Sequence, residues 1–167
     1  MPRSDQGVNR DRYLLIPRVL IFLIRGESVL LLKGAPTKRL WAGKYNGLGG
    51  HVERGEDPLS AARRELWEEA GLQSTLRLCG VVAVDVEPAV GVGMYVFAGE
   101  CSDGEPTPSA EGVAEWVPFA DLVSLPLLED VAWMLGRIRA MTSDSPPFSA
   151  RSFYDESGNL QMVFAEV

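Results

Sequence analysis

The stretch Gly50-His51-Val52-Glu53-Arg54-Gly55-Glu56-Asp57-Pro58-Leu59-Ser60-Ala61-Ala62-Arg63-Arg64-Glu65-Leu66-Trp67-Glu68-Glu69-Ala70-Gly71-Leu72 runs from a glycine-led loop into a helix that gathers three carboxylates. Asp57 suits the N-cap, because its side-chain oxygen can accept the orphan N–H groups of the first turn. Pro58 suits the first helical position, where a missing N–H costs nothing. Gly71 supplies the left-handed backbone that ends the helix. At about 100° per residue, with Glu65 at zero, Glu69 falls at about +40° and Glu68 at about −60°, so the acids share an arc of about 100°. Ala62, Leu66, Leu59 and Ala70 fall between about +60° and +140° and form an adjoining apolar stripe. The helix should lie on a core by that stripe and carry its acids along the edge of an exposed cleft. Arg64, one turn before Glu68, is placed to pair with it.

Like charges about 5 Å apart repel by about 3 kcal/mol per pair at an effective dielectric near 20. Three acids beside an apolar stripe therefore call for more counter-charge than Arg64 brings. Hard cations such as Mg²⁺ take oxygen ligands and bind through a few carboxylates plus substrate phosphates. Such an ion neutralises phosphate charge and turns a bound water into a usable nucleophile. A solvated acidic face is the plain alternative for an acidic helix of this kind.

The order Gly, five residues, Glu, seven residues, Arg-Glu-Leu, one residue, Glu-Glu, one residue, Gly-Leu resembles the Nudix box at every defining position. With seven positions fixed to one residue type, at roughly 7% usage each, a window matches by accident at about 10⁻⁸. The resemblance implies a Mg²⁺-dependent hydrolase, with Mn²⁺ as a substitute, and assigns roles position by position. The Gly49 carbonyl and the carboxylates of Glu65, Glu68 and Glu69 would hold the metal. Arg64 would orient the carboxylate set, and Glu56 would support the loop and helix start, with Gly50 and Gly71 framing the box. The general base varies among such enzymes. It is either a box glutamate, Glu68 or Glu65, or an acid of a later loop, where Glu111 and Glu115 precede Trp116 and Glu111 is preferred. An ordinary surface role remains open for Glu111.

Substrate is less legible. Lys44-Tyr45-Asn46-Gly47-Leu48-Gly49-Gly50 resembles the lead-in of MutT-type enzymes that hydrolyse oxidised purine nucleoside triphosphates such as 8-oxo-dGTP, and the closing Phe-Tyr-Asp-Glu-Ser-Gly-Asn-Leu segment is similar to that group too. There the amide matching Asn46 reads the base, having both donors and an acceptor for a purine edge. Asn46 can equally satisfy a turn beside Gly47. Trp41, in a loop near the box, is the better stacking candidate among Trp41, Trp116 and Trp133, while Trp133 reads as core. His51 reads as an exposed loop residue. Pro88, sixteen positions after Leu72, resembles the proline of ADP-ribose-cleaving enzymes, so ADP-ribose or a nucleotide sugar is the second substrate reading. The tyrosine typical of dinucleoside-polyphosphate hydrolases is missing, since Tyr95 falls too far on.

Composition agrees with a compact soluble enzyme and leaves a small nucleotide substrate open, because a bound metal would reverse the local sign of charge. A chain of 167 residues that is 46% hydrophobic can bury one good core, which suggests one domain over residues 1–167. A net charge of −7 leaves no basic surplus for a nucleic-acid polymer. The apolar run at residues 14–24 is too short and too interrupted by Pro17 for a membrane span. The expectation is a cytoplasmic protein, monomeric or homodimeric. Cys79 and Cys101 read as buried thiols. A silent nucleotide-sensing domain of the same fold usually shows eroded box acids, and a prenyl-diphosphate isomerase needs further histidines, whereas His51 stands alone.

Elsewhere, apolar alternation predicts strands at residues 18–24 and 29–33, 76–87 and 92–100, a short strand at 115–117, and a closing hairpin of 148–154 with 160–167. Residues 102–110 and 143–147 read as loops, and 127–141 as an amphipathic helix with Trp133 inside. This order fits an α+β protein of the Nudix type, an α/β/α sandwich with a mixed β-sheet.

Overall fold

The computed structural model describes residues 2–7, 9, 11–37 and 41–166. Its strands are β1 (Leu14–Arg25), β2 (Ser28–Gly34), β3 (Tyr45–Asn46), β4 (Leu76–Val84), β5 (Val90–Glu100), β6 (Gly112–Pro118), β7 (Phe148–Tyr154) and β8 (Leu160–Phe164), with helices α1 (Pro58–Ala70) and α2 (Glu129–Arg139). All eight strands join one sheet in the order β3-β2-β1-β5-β4-β7-β8, and β6 also pairs with β2. The sheet is mixed: β1 with β5 and β4 with β7 are parallel, and the remaining pairs are antiparallel.

Successive strand side chains point to opposite faces, and the two faces are filled separately. Leu20, Phe22, Val29 and Leu31 cluster with Val131, Met134, Leu135 and Ile138 of α2. Their neighbours Val19, Ile21, Leu23, Leu30 and Leu32 cluster with Ala61, Ala62, Leu66 and Ala70 of α1. A sheet with one helix on each face follows, as the sequence pattern indicates. Cys79 and Cys101 are buried, unpaired thiols.

One departure from regular pairing builds the site. β1 and β2 pair only beside their turn, at Ile24↔Val29 and Arg25↔Ser28, and then diverge. Residues 45–52 fill the gap. β3 pairs with Leu32 and Lys33 of β2. The following loop then runs along β1: Ile21 N–H donates to the Leu48 carbonyl (2.7 Å), Val19 N–H to Gly50 (2.9 Å), and Val52 N–H to Pro17 (3.0 Å).

Several expectations need correction. The first strand starts at Leu14, not after Pro17. Leu14 N–H faces β5, donating to Ala89 (3.0 Å), whereas the Pro17 carbonyl accepts Val52 on the opposite edge. The missing N–H of Pro17 therefore falls away from the β5 ladder and interrupts nothing. The second helix is shorter than 127–141, because Leu128 N–H is taken by the Tyr45 carbonyl (3.0 Å) and Leu127 bridges Tyr45 in extended backbone. Trp133 is 41% exposed rather than core. It lies about 140–160° around the helix from Val131, Leu135 and Ile138, which are buried. β4 ends at Val84, three residues early, and β6 extends over Gly112–Pro118. Val167, the end of the expected closing hairpin, lies outside the described residues.

Candidate active site

The helix ends are as the residues dictate. Asp57 Oδ1 accepts from Leu59 N–H (2.9 Å) and Ser60 N–H (3.0 Å), and its Oδ2 accepts the Ser60 hydroxyl (2.6 Å). These bonds, Ser60's hydroxyl first, hold the Asp57 carboxyl below its ordinary range. Gly71 closes α1 at φ 66°, donating to the Trp67 carbonyl (2.8 Å).

Arg64 is the centre of the site. Its Nε and Nη2 grip Glu56 in a two-point fork (2.8 and 2.9 Å). Nη1 donates to Glu65 (2.8 Å) and Glu68 (3.1 Å), and Nη2 also reaches the His51 carbonyl (3.0 Å). A guanidinium has five N–H donors, so all are committed. Glu56 accepts Glu53 N–H as well (3.0 Å). Arg64 first, then that N–H, hold the Glu56 carboxyl down at about 2, while Glu56 and Glu65 raise the Arg64 pKa further.

Glu69 takes a different partner. It is only 4% exposed, and its Oε2 accepts Gly49 N–H (2.7 Å). That bond ties the glycine loop to the helix. Because the Leu48 and Gly50 carbonyls face β1, alternation leaves the Gly49 carbonyl directed away from it. The glycines are required here. A side-chain carbon at Gly49, where φ is 149°, would overlap the Val19 carbonyl, and one at Gly50 would overlap Glu65 Oε1. Gly50→Ala is therefore expected to push Glu65 off Arg64 and lower kcat by about 10- to 100-fold, with a smaller effect on unfolding temperature. Unchanged kcat in steady-state assays would show that this contact is idle.

The acids thus do not all line an exposed edge, as the sequence suggests. The Glu68 side chain is 54% exposed, that of Glu65 only 13%, and Glu69 is buried. Ala61, at about −40° on the same wheel, is buried too. The buried arc therefore reaches under Glu65 and Glu69, and Arg64 and the Gly49 N–H replace water for them. Among the described residues no three acids converge as a ready metal cluster.

Asn46 is half-buried at the end of β3, and its Oδ1 accepts Gly47 N–H (2.8 Å), the turn role foreseen as its alternative. Its amide nitrogen has no hydrogen-bond partner among the described residues. Trp41 is exposed, with the Arg18 guanidinium over its ring. Glu111 precedes β6: its N–H reaches Ser109 Oγ (3.2 Å) and its carbonyl accepts Ala35 N–H (3.1 Å). Glu115, the other loop acid, accepts the Tyr45 hydroxyl on the α2 face, since Val117 and Tyr45 belong to that cluster. Glu115 therefore faces away from α1. The bond to Glu115, then burial, push the Tyr45 phenol up to about 12. Trp116 faces α1 with Arg25 stacked on it at 3.9 Å, and His51 is exposed. Tyr45, beside Asn46 in the lead-in, thus holds a role that no local motif marks, since its partner Glu115 lies seventy residues on.

A central sheet between two helices, with a glycine loop clamped to a helix through carboxylates around one arginine, defines a class of phosphate-handling domains. The chain belongs to the NUDIX domain family, whose profile matches residues 14–138. It is 34% identical over 110 residues to an oxidized purine nucleoside triphosphate hydrolase of Mus musculus, covering 62% of this chain and 69% of that protein. The same-named protein of Danio rerio is 32% identical over 121 residues, covering 68% and 74%. A MutT protein from Bacillus halodurans superimposes with a TM-score of 0.74 at 21% identity, over 90% of this chain and 97% of that one. No helix among the described residues is long and apolar enough to cross a membrane.

Proposed function

We propose that this chain is a Mg²⁺-dependent Nudix pyrophosphohydrolase that converts oxidised purine nucleoside triphosphates to the monophosphate and pyrophosphate. The observation that carries this reading is the Arg64 hub, which holds Glu56, Glu65 and Glu68 in one network beside a glycine loop anchored by Glu69. The names of the mouse and zebrafish relatives supply the substrate class.

Glu65, Glu68, Glu69 and the Gly49 carbonyl would supply an all-oxygen donor set, the chemistry a hard divalent cation takes; Mn²⁺ would substitute. The Glu65 carboxylate packs directly on Gly50, where a side-chain carbon would overlap its Oε1, so the carboxylate meets the glycine loop with no side chain between them. When bound, the cation supplies charge neutralisation for the phosphates and a more acidic water. Water oxygen attacks one phosphorus of the α,β-anhydride, the bridging P–O bond breaks, and the departing half keeps the electron pair: pyrophosphate for attack at the α-phosphorus, the nucleoside monophosphate for attack at the β-phosphorus. A glutamate takes the water's proton, with Glu111 the preferred acceptor and Glu68 the box alternative. Arg64 moves no proton, since it stays charged; it fixes the carboxylates. Product analysis by phosphorus NMR tests the reading: pyrophosphate with nucleoside monophosphate is expected, and orthophosphate with diphosphate would refute it.

Asn46 uses its oxygen on Gly47, so it reads a base through its amide N–H donors. Asn46→Ala is expected to raise KM for the preferred purine about 5- to 50-fold with little change in kcat. Identical base preference in the variant would dismiss this role. Pro88 lies in the β4–β5 turn beside Tyr13, Asp85 and Tyr154, and nothing described ties it to α1 or the glycine loop. ADP-ribose therefore stands second.

A further inference from the structure

A second arginine stands beside the glycine loop, and the carboxylate network does not use it. Arg18 directly precedes Val19, whose N–H binds the Gly50 carbonyl (2.9 Å), and it bridges His51 across the same loop. The pleat of β1 puts Arg18 on the face opposite α1, in the row of Leu20 and Phe22. Among the described residues it makes no ion pair, in a chain of net charge −7. Its guanidinium carbon lies 5.8 Å from the centre of the Trp41 ring, near the outer limit of a cation–π contact.

Trp41 is held there against its backbone preference. At φ 63° it is the one non-glycine residue with positive φ among those described, a conformation that costs a bulky residue about 1–2 kcal/mol. Its carbonyl accepts Lys44 N–H (3.0 Å), and it packs so closely on Gly34 that a side-chain carbon there would sit 2.5 Å from the oxygen. The ring nevertheless stays 39% exposed, so burial does not offset the strain. What the arrangement achieves is a flat platform under Arg18.

We propose that Arg18 is a substrate-binding residue that grips the phosphate chain where it meets the glycine loop, and that Trp41 is its positioning residue. The inference rests on the phosphohydrolase reading above. A guanidinium fork matches phosphate oxygens in a two-point contact. Arg64 cannot supply that fork, because its five donors are already committed. Among the described residues Arg18 engages only a ring at 5.8 Å, so it can turn to an anion at little cost.

The test compares Arg18→Ala, Arg18→Lys, Trp41→Ala and the double variant Arg18→Ala/Trp41→Ala. The readouts are kcat and KM for 8-oxo-dGTP and dGTP, and Kd for a non-hydrolysable α,β-imido deoxynucleoside triphosphate. Arg18→Ala is expected to raise KM and Kd at least about ten-fold with kcat within about three-fold, and to flatten their dependence on ionic strength. Arg18→Lys should recover part of the loss. Trp41→Ala should weaken binding less than Arg18→Ala and add nothing in the double variant. Unchanged KM and Kd in Arg18→Ala would overturn the proposal. A full additional loss on removing Trp41 from Arg18→Ala would overturn the positioning role and make Trp41 a direct contact. Absence of turnover in the unaltered protein would instead refute the hydrolase reading itself.

Discussion

Glu68→Gln is expected to lower kcat by about 10³-fold or more while leaving the unfolding temperature within about 1–2 °C. The Glu68 side chain is 54% exposed, and its bond to Arg64 at 3.1 Å is an i,i+4 surface pair, an arrangement that adds little to stability. Glutamine keeps its size and removes only the charge that would face a cation. Glu69→Gln should abolish turnover to a similar degree but behave differently in unfolding. Glu69 is buried on the Gly49 N–H; an amide oxygen can keep that bond, yet its NH₂ must then be buried as well. A drop of several degrees is expected for Glu69→Gln alone. Steady-state kinetics and calorimetry on both variants check this, and wild-type turnover in both would remove the acids from the reaction.

Arg64→Ala is expected to lower kcat by about 10²–10³-fold and stability by about 1–3 kcal/mol, since three carboxylates lose their common partner. Arg64→Lys should rescue little, because an ammonium offers three donors where five are used. The two proteins should also differ in acid. Arg64 and the Glu53 N–H hold the Glu56 carboxyl at about 2 rather than 4.5. A carboxyl depressed in the folded state contributes stability above its unfolded pKa and loses it as pH falls through the folded one. The unaltered protein should therefore lose this contribution between about pH 4.5 and pH 2. Arg64→Ala should show a shallower decline across that window. Unfolding temperature measured from pH 6 to pH 2 decides it, and parallel curves would mean that Arg64 does not set the ionisation of Glu56.

What could be read from the chain was what short-range chemistry decides. Asp57, Pro58 and Gly71 mark both ends of α1 through bonds made within a few residues. Alternation in β1 and β2 assigns each apolar side chain to its face. The rest depends on partners far along the chain. Pro17 fits inside a strand because its missing N–H falls on the edge away from β5, where the loop at Val52 asks only for its carbonyl. Glu69 can be buried only because Gly49, twenty residues earlier, offers an N–H. β3 exists because β1 and β2 diverge, which no local pattern announces. Glu115 was more accessible: with the strand extended to Gly112, alternation alone puts it with Val113 and Val117, away from Ala114 and Trp116 on the α1 face.

The most direct test of the central claim is kcat/KM for 8-oxo-dGTP, the four ordinary dNTPs and ADP-ribose, with Mg²⁺ and with a chelator. Coupling to pyrophosphatase detects pyrophosphate, and coupling to phosphatase detects products without it. The expected result is pyrophosphate release that requires the divalent cation and favours 8-oxo-dGTP. Turnover indifferent to the chelator, or preference for ADP-ribose over every triphosphate, would contradict it.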